Sequence, residues 1–225
     1  MSARPGTLLA RRPLHFIVIA DCSGSMASDG KMQALNTALR ETIPHLVDVA
    51  GQNPHAEVLL RVLAFSTGAR WHLAEPTPVD RVVWEDLQPA GYTDLGAALA
   101  ELTTQLRVPP MEERALPPAL VLISDGMPTD DWKPALGRLL DEPWGQRSVR
   151  ISVGIGRDAD YEVLHKFMGS GDVTPLSAHN PEQLVRMIRW ASMHASRAAS
   201  TPTPERRGVV PYRPTDPNDA SVVVW

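Results

Sequence analysis

The chain has 225 residues, 43% of them hydrophobic and 21% charged, with one cysteine and a formal net charge of -4. A chain of this length and composition buries a core without disulfides, and the lone Cys22 has no internal partner, which fits a reducing compartment. The net charge gives no sign of the basic domain or stripe of a nucleic-acid binder. No apolar run approaches the roughly 20 residues that cross a bilayer, so the expectation is a cytoplasmic protein that engages neither nucleic acid nor membrane.

Residues 1–12 read as a lead-in to a domain over 13–200. "LHFIVIA" (14–20) is a continuous apolar, β-branched run, as in a strand covered on both faces. No small-x-small cleavage site precedes it, so it reads as a core strand rather than a secretory signal. From Lys31 to Ala50, Met32, Leu35, Leu39, Ile43, Leu46 and Val47 recur at helical spacing, and Pro44 predicts a kink or division. "AEVLLRVLAFS" (56–66) and "ARWHLAE" (69–75) are strands whose link through Ser66, Thr67 and Gly68 is too short for a parallel crossover. "DRVVWEDL" is ambiguous. "DLGAALAELTTQLRV" (94–108) is helical, with Leu95, Ala98, Leu99, Leu102 and Leu106 on one face, and "ALVLISD" (119–125) is a second buried strand.

A helix over Trp132–Leu140, a strand "RISVGIG" (150–156), a helix over Asp160–Met168, a short strand over Val173–Leu176 and a last helix over Pro181–Ala198 follow. Strands alternating with helices predict an α/β fold: a doubly wound, mostly parallel six-stranded sheet, helices on both faces, and one antiparallel strand at an edge. Residues 201–225 hold five of the 21 prolines and no helical period, so they read as a proline-rich tail with an apolar end, "SVVVW".

In an open α/β sheet, ligands sit outside the carboxyl ends of the strands, where strand order reverses. Three segments deliver oxygen ligands to that end. "DCSGSM" supplies Asp21, Ser23 and Ser25, "GYTDLGAAL" supplies Thr93, and "LISDGMPTDDW" supplies Asp125. Carboxylates and hydroxyls without histidine or a usable thiol suit Mg²⁺ or Mn²⁺, with Ca²⁺ as a further candidate, and do not suit zinc. Alternation in D-x-S-x-S points the three side chains the same way, and Gly24 allows a tight turn.

These residues resemble the von Willebrand factor type A family with its metal-ion-dependent adhesion site, over roughly residues 13–198. The family pattern is D-x-S-x-S, then a threonine, then an aspartate after the fourth strand. The resemblance implies that Ser23, Ser25 and Thr93 contact the ion and that Asp21 and Asp125 hold it directly or through water. It also implies that an Asp or Glu of a protein partner completes the shell. Together with "VGIGRDADYEVLHKFMG", the same segments are similar to the bacterial TerY-like branch of tellurite-resistance, stress and conflict gene clusters. That resemblance implies a kinase, phosphatase or ATPase neighbour.

Neighbouring polar residues have plainer readings. Asp94, Asp130 and Asp131 are expected to cap or open the helices that follow them, and Asp29 to face solvent in a turn. Cys22 is expected to point into the core. Tyr92 and Trp132 flank ligand-bearing loops and are candidates for the rim of a partner site. In the tail, Asp216 and Asp219 beside the apolar end could reach the site of the same or a neighbouring molecule.

Two rival readings stand beside the interaction module. One is a phosphohydrolase of haloacid-dehalogenase type, suggested by a strand ending in aspartate. That chemistry needs a carboxylic acid two residues later, where Ser23 stands, and no complete acid, base or nucleophile set is present, so a non-enzyme is expected. The other is a scaffold whose metal is purely structural.

Overall fold

The structure, a computed structural model, describes residues 11–53, 56–169, 174–178, 180, 182–188 and 190. Six strands form one sheet in the order β3-β2-β1-β4-β5-β6, with β1 Arg12–Asp21, β2 Ala56–Ser66, β3 Gly68–Pro78, β4 Ala119–Ser124, β5 Val149–Ile155 and β6 Leu176–Ala178. All neighbours run parallel except β2 and β3, which pair as the antiparallel hairpin that their short link demands. Strand β3 lies at an edge, is largely open to solvent, and ends in Pro76 and Pro78, residues that discourage pairing with another chain.

Alternation along the strands divides the core into two layers. Leu14, Phe16, Val18 and Ala20 of β1 point to one face, with Val121 and Ile123 of β4. They pack on α1 (Lys31–Gln52) and on the helical residues 182–188 through Leu35, Leu39, Leu46, Leu184 and Ile188. Ile17 and Ile19, with Leu120 and Leu122, point to the other face. There they meet α2 (Leu95–Gln105), α3 (Trp132–Asp141) and, beyond α4 (Pro143–Arg147), α5 (Tyr161–Met168). Fully burying each such aliphatic side chain contributes roughly 1.5–3 kcal/mol, so a strand buried on both faces anchors the fold.

Several boundaries differ from the sequence expectation. Strand β1 begins at Arg12, the last residue of the expected lead-in, because β2 offers ladder partners as far back as Ala56. Pro44 does not divide α1: it lies on the exposed face, as does Arg40, so water can satisfy the carbonyl that lost its donor. Helix α2 stops at Gln105, ahead of Pro109 and Pro110, which disfavour helical backbone before them. Strand β6 starts at Leu176, later than expected, and the short α4 was not foreseen. The ambiguous segment opens with a 3-10 turn, Val79–Arg81, and continues without regular structure to Asp94. Residues 1–10, Val173, Pro181, the part beyond 190 of the expected last helix and the tail with Asp216 and Asp219 lie outside the described residues.

Candidate metal site

Strand order reverses between β1 and β4: from β1 the chain builds outward to β2 and β3, then returns to β4, β5 and β6. The β1–β4 ladder last pairs Ala20 with Ile123, so Asp21 and Ser124 come next on adjacent strands, at their carboxyl ends. The Ser124 hydroxyl donates to Asp21 Oδ2 at 2.6 Å, and the Ser23 amide donates to Asp21 Oδ1 at 2.8 Å. Asp21 is fully buried, and that burial raises its pKa above the ordinary carboxylate value. The hydrogen bonds from Ser124 and Ser23 oppose the rise, and the charge of Asp125 adds to it.

A chain of hydroxyls joins this group to Asp125. Ser25 donates from Oγ to Asp125 Oδ1 at 2.8 Å, and the Ser23 and Ser25 hydroxyls lie 2.9 Å apart. The Ser25 proton is committed to Asp125, and the Ser23 hydroxyl lies within reach of both Ser25 and Asp21, so lone pairs on both hydroxyls stay available to a cation. Ser23 is buried and Ser25 exposed, so the cluster opens outward through Ser25.

Thr93 arrives on the irregular segment 82–94, which is pinned at several points. Asn36 of α1 holds Leu87 through both backbone groups, at 2.8 and 3.0 Å. The Ala90 amide donates to the Cys22 carbonyl at 2.7 Å, and the Gly24 amide donates to the Gly91 carbonyl at 2.9 Å. Gly91 has φ of 78°, and a Cβ there would stand 2.3 Å from the Thr67 hydroxyl, so only glycine allows this approach. Thr93 itself exchanges backbone and side-chain bonds with Thr129, four residues after Asp125. Its own hydroxyl makes no hydrogen bond among the described residues.

The structure thus joins Asp21, Ser23, Ser25 and Asp125 in one hydrogen-bonded cluster and ties the loop bearing Thr93 to both halves of it. Among the described residues no three His, Cys, Asp or Glu side chains gather as a metal cluster. The donors are two carboxylates supplemented by hydroxyls, and hard oxygens of this kind fit Mg²⁺, Mn²⁺ or Ca²⁺.

Four features were missed by reading the sequence. Lys31, the first residue of α1, is 4% exposed, and its Nζ donates to Asp125 Oδ2 at 2.7 Å. The signal was present: Lys31, Ala34, Leu35 and Ala38 are spaced as one buried helical face. Ser124 follows directly from the strand pairing. Asp130 does not cap the helix next to it; its two oxygens accept from the Gly96 and Ala97 amides, each at 2.9 Å, and so cap α2. Asp94 stands at the start of α2 without capping it, and instead accepts from the Gly68 amide and the Thr129 hydroxyl. Asp131 precedes α3 and makes no side-chain cap.

Of the expected rim pair, Tyr92 is 67% exposed beside Thr93, whereas Trp132 is 8% exposed and belongs to the core layer that α2, α3 and α5 share. Met127, 69% exposed two residues after Asp125, joins Tyr92 among the exposed apolar side chains of these loops. Asp29 is an exposed turn residue with φ of 54°, and Cys22 lies in the core, both as expected.

No protein-family model and no curated protein matches the chain. Solved structures do. A von Willebrand factor type A protein from Catenulispora acidiphila matches over 83% of this chain and 43% of its own, with 22% identity and a TM-score of 0.61. The ArnB paralog VWA2 from Sulfolobus acidocaldarius matches over 80% and 45%, with 19% identity and a TM-score of 0.60. Proximal thread matrix protein 1 of the mussel byssus, solved with a zinc-occupied MIDAS motif, matches over 83% and 48%, with 15% identity and a TM-score of 0.62. The chain spans less than half the length of these proteins. Its fold is that of a von Willebrand factor type A domain.

Proposed function

We propose that the chain is a metal-dependent protein-interaction module and not an enzyme. In this reading Asp21, Ser23, Ser25, Thr93 and Asp125 hold a divalent cation, Mg²⁺ in the first instance and Mn²⁺ or Ca²⁺ in its place. The observation that carries it is the cluster in which Ser25 links Ser23 to Asp125 at the reversal of strand order, beside Asp21. When bound, the ion supplies a concentrated positive charge at which an Asp or Glu of a partner protein docks.

The chain's own residues provide the rest. Asp21 and Asp125 counter the cation's charge, while the neutral hydroxyls add donors without adding negative charge. The exposed Tyr92 and Met127 offer apolar contact area around the carboxylate, which a single ionic contact lacks. Ser23, in place of an acid, supports a binding role over phosphate hydrolysis.

The similarity of "DCSGSM", "GYTDLGAAL" and "LISDGMPTDDW" to the TerY-like branch supports a setting in a cytoplasmic bacterial stress or tellurite-resistance system. A kinase, phosphatase or ATPase is then the natural neighbour, and Asp216 and Asp219 of the tail are internal competitors for the site. The test has two stages. Calorimetric titration of Mg²⁺ and Mn²⁺ into the full chain should show one site, lost in Ser23→Ala/Ser25→Ala with folding intact. Immobilised chain should then retain a lysate protein with Mg²⁺ and release it with chelator, and Asp21→Ala should retain none. Saturable binding of neither metal overturns the reading.

A further inference from the structure

Lys31 breaks two local rules at once. It places an ammonium on the buried face of α1, and it does so in the first helical turn, where the macrodipole is already positive. Such a placement is unfavourable unless a specific partner offsets it. That partner is Asp125 Oδ2, at 2.7 Å, while the other oxygen of the same carboxylate accepts from Ser25.

The space for this arrangement is built into the end of β5. Gly156 adopts φ of 80°, and a Cβ on it would stand 3.2 Å from Lys31 Cε and 3.6 Å from Nζ. The lysine is therefore enclosed by the fold with its charge against the candidate metal site. It is not a surface side chain that happens to swing past.

We propose that Lys31 is a built-in counter-charge that makes the site bind a divalent cation weakly alone and strongly together with a carboxylate. This rests on the reading of the site as metal-dependent. Two carboxylates without the lysine would carry two negative charges and bind a divalent cation to neutrality. With Lys31 the resting cluster carries one negative charge, and the loaded cluster one positive charge. That surplus favours an anionic ligand, so cation and carboxylate assist each other's binding. Lys31 also holds one Asp125 oxygen by a charge-assisted bond, which restrains that carboxylate from closing on the ion with both oxygens.

The test uses Mn²⁺ as probe, followed by the loss of its free-ion electron paramagnetic signal, with and without acetate. Lys31→Met and Lys31→Gln remove the charge at similar side-chain length, and Lys31→Arg retains it. Charge removal should tighten Mn²⁺ binding without acetate by about tenfold or more, since a unit charge a few ångströms away is lost. It should also shrink the strengthening of Mn²⁺ binding that acetate produces in the parent chain, and Lys31→Arg should keep that strengthening. A purely structural lysine predicts the opposite sign, weaker binding on substitution.

Circular dichroism melting checks that each variant folds, and Met and Gln together guard against one failing. If the parent chain binds Mn²⁺ while both neutral variants bind it equally or more weakly, the counter-charge role is overturned and the metal site stands. If parent and variants all fail to bind Mn²⁺, both are overturned.

Discussion

The reach of Asp130 across the fold gives a stability effect that can be worked out from the structure. Its carboxylate accepts the Gly96 and Ala97 amides, the second and third residues of α2, at 2.9 Å each. These are donors that a helix leaves unpaired at its amino end, and the local cap residue Asp94 does not serve them. Losing a side-chain cap costs about 1 kcal/mol, and losing an anion at the positive end of the dipole costs about 0.3–1 kcal/mol more. The Gly96 side of the turn is buried, so its orphaned amide adds a desolvation penalty of about 1 kcal/mol. Asp130→Ala should therefore destabilise the domain by about 2–3 kcal/mol, and Asp130→Asn, which keeps one acceptor oxygen, by about 1 kcal/mol. Asp131→Ala is the control: Asp131 is exposed and makes no cap, so the change should stay within about 0.5 kcal/mol. Urea unfolding reads the difference, with a slope of about 2 kcal/mol/M placing the Asp130→Ala midpoint about 1 M lower. Equal midpoints for Asp130→Ala and Asp131→Ala would refute the assignment of the cap.

Two further outcomes follow from buried titratable groups. Burial lowers the pKa of His15 below its ordinary 6.5, despite the hydrogen bond to Glu112 and its charge, so the folded state prefers neutral imidazole. That contribution to stability is fully present above about pH 6.5 and is lost as pH falls through the folded-state pKa. Urea midpoints between pH 5 and 8 should show it, and His15→Gln should flatten this part of the profile; parallel profiles would contradict it. Cys22 has its thiol pKa pushed up to about 12, by burial first and then by the charge of Asp21. It should resist iodoacetamide at pH 8 when native and react readily in urea, and rapid native labelling would show that the loop opens far more than the packing implies.

The residues that lie within one strand or at its end were legible in the sequence. A continuous apolar run ending in aspartate identifies β1 and β4 without any partner, and their parallel pairing then places Asp21 beside Ser124 and near Asp125. Residues whose partner is remote in sequence were not. Asp130 and Asp131 sit together ahead of α3, and local rules assign both to it, yet Asp130 turns to the amide of Gly96, 34 residues earlier in the first turn of α2. Trp132 sits beside a candidate loop, but its bulk is buried in the core layer formed with α2 and α5. Lys31 lay between these cases: its position on the apolar stripe was visible, whereas its partner, 94 residues away, was not.

The same division runs through the site itself. Asp21 is the last residue of β1 and Asp125 the first residue after β4, so both sit at the carboxyl ends of two strands paired in the core. Thr93 belongs to a long segment without regular structure, a kind of loop that is uncommon in a compact domain unless it is functional. Yet it is not loosely attached. Asn36 replaces a missing strand partner for Leu87, the Cys22 and Gly24 backbone groups meet Ala90 and Gly91, and Asp94 clamps the hairpin turn to Thr129. The bonds to Cys22, Gly24 and Thr129 end beside candidate ligands, so displacing Thr93 pulls on the Ser23–Ser25 turn and on the segment after Asp125 together.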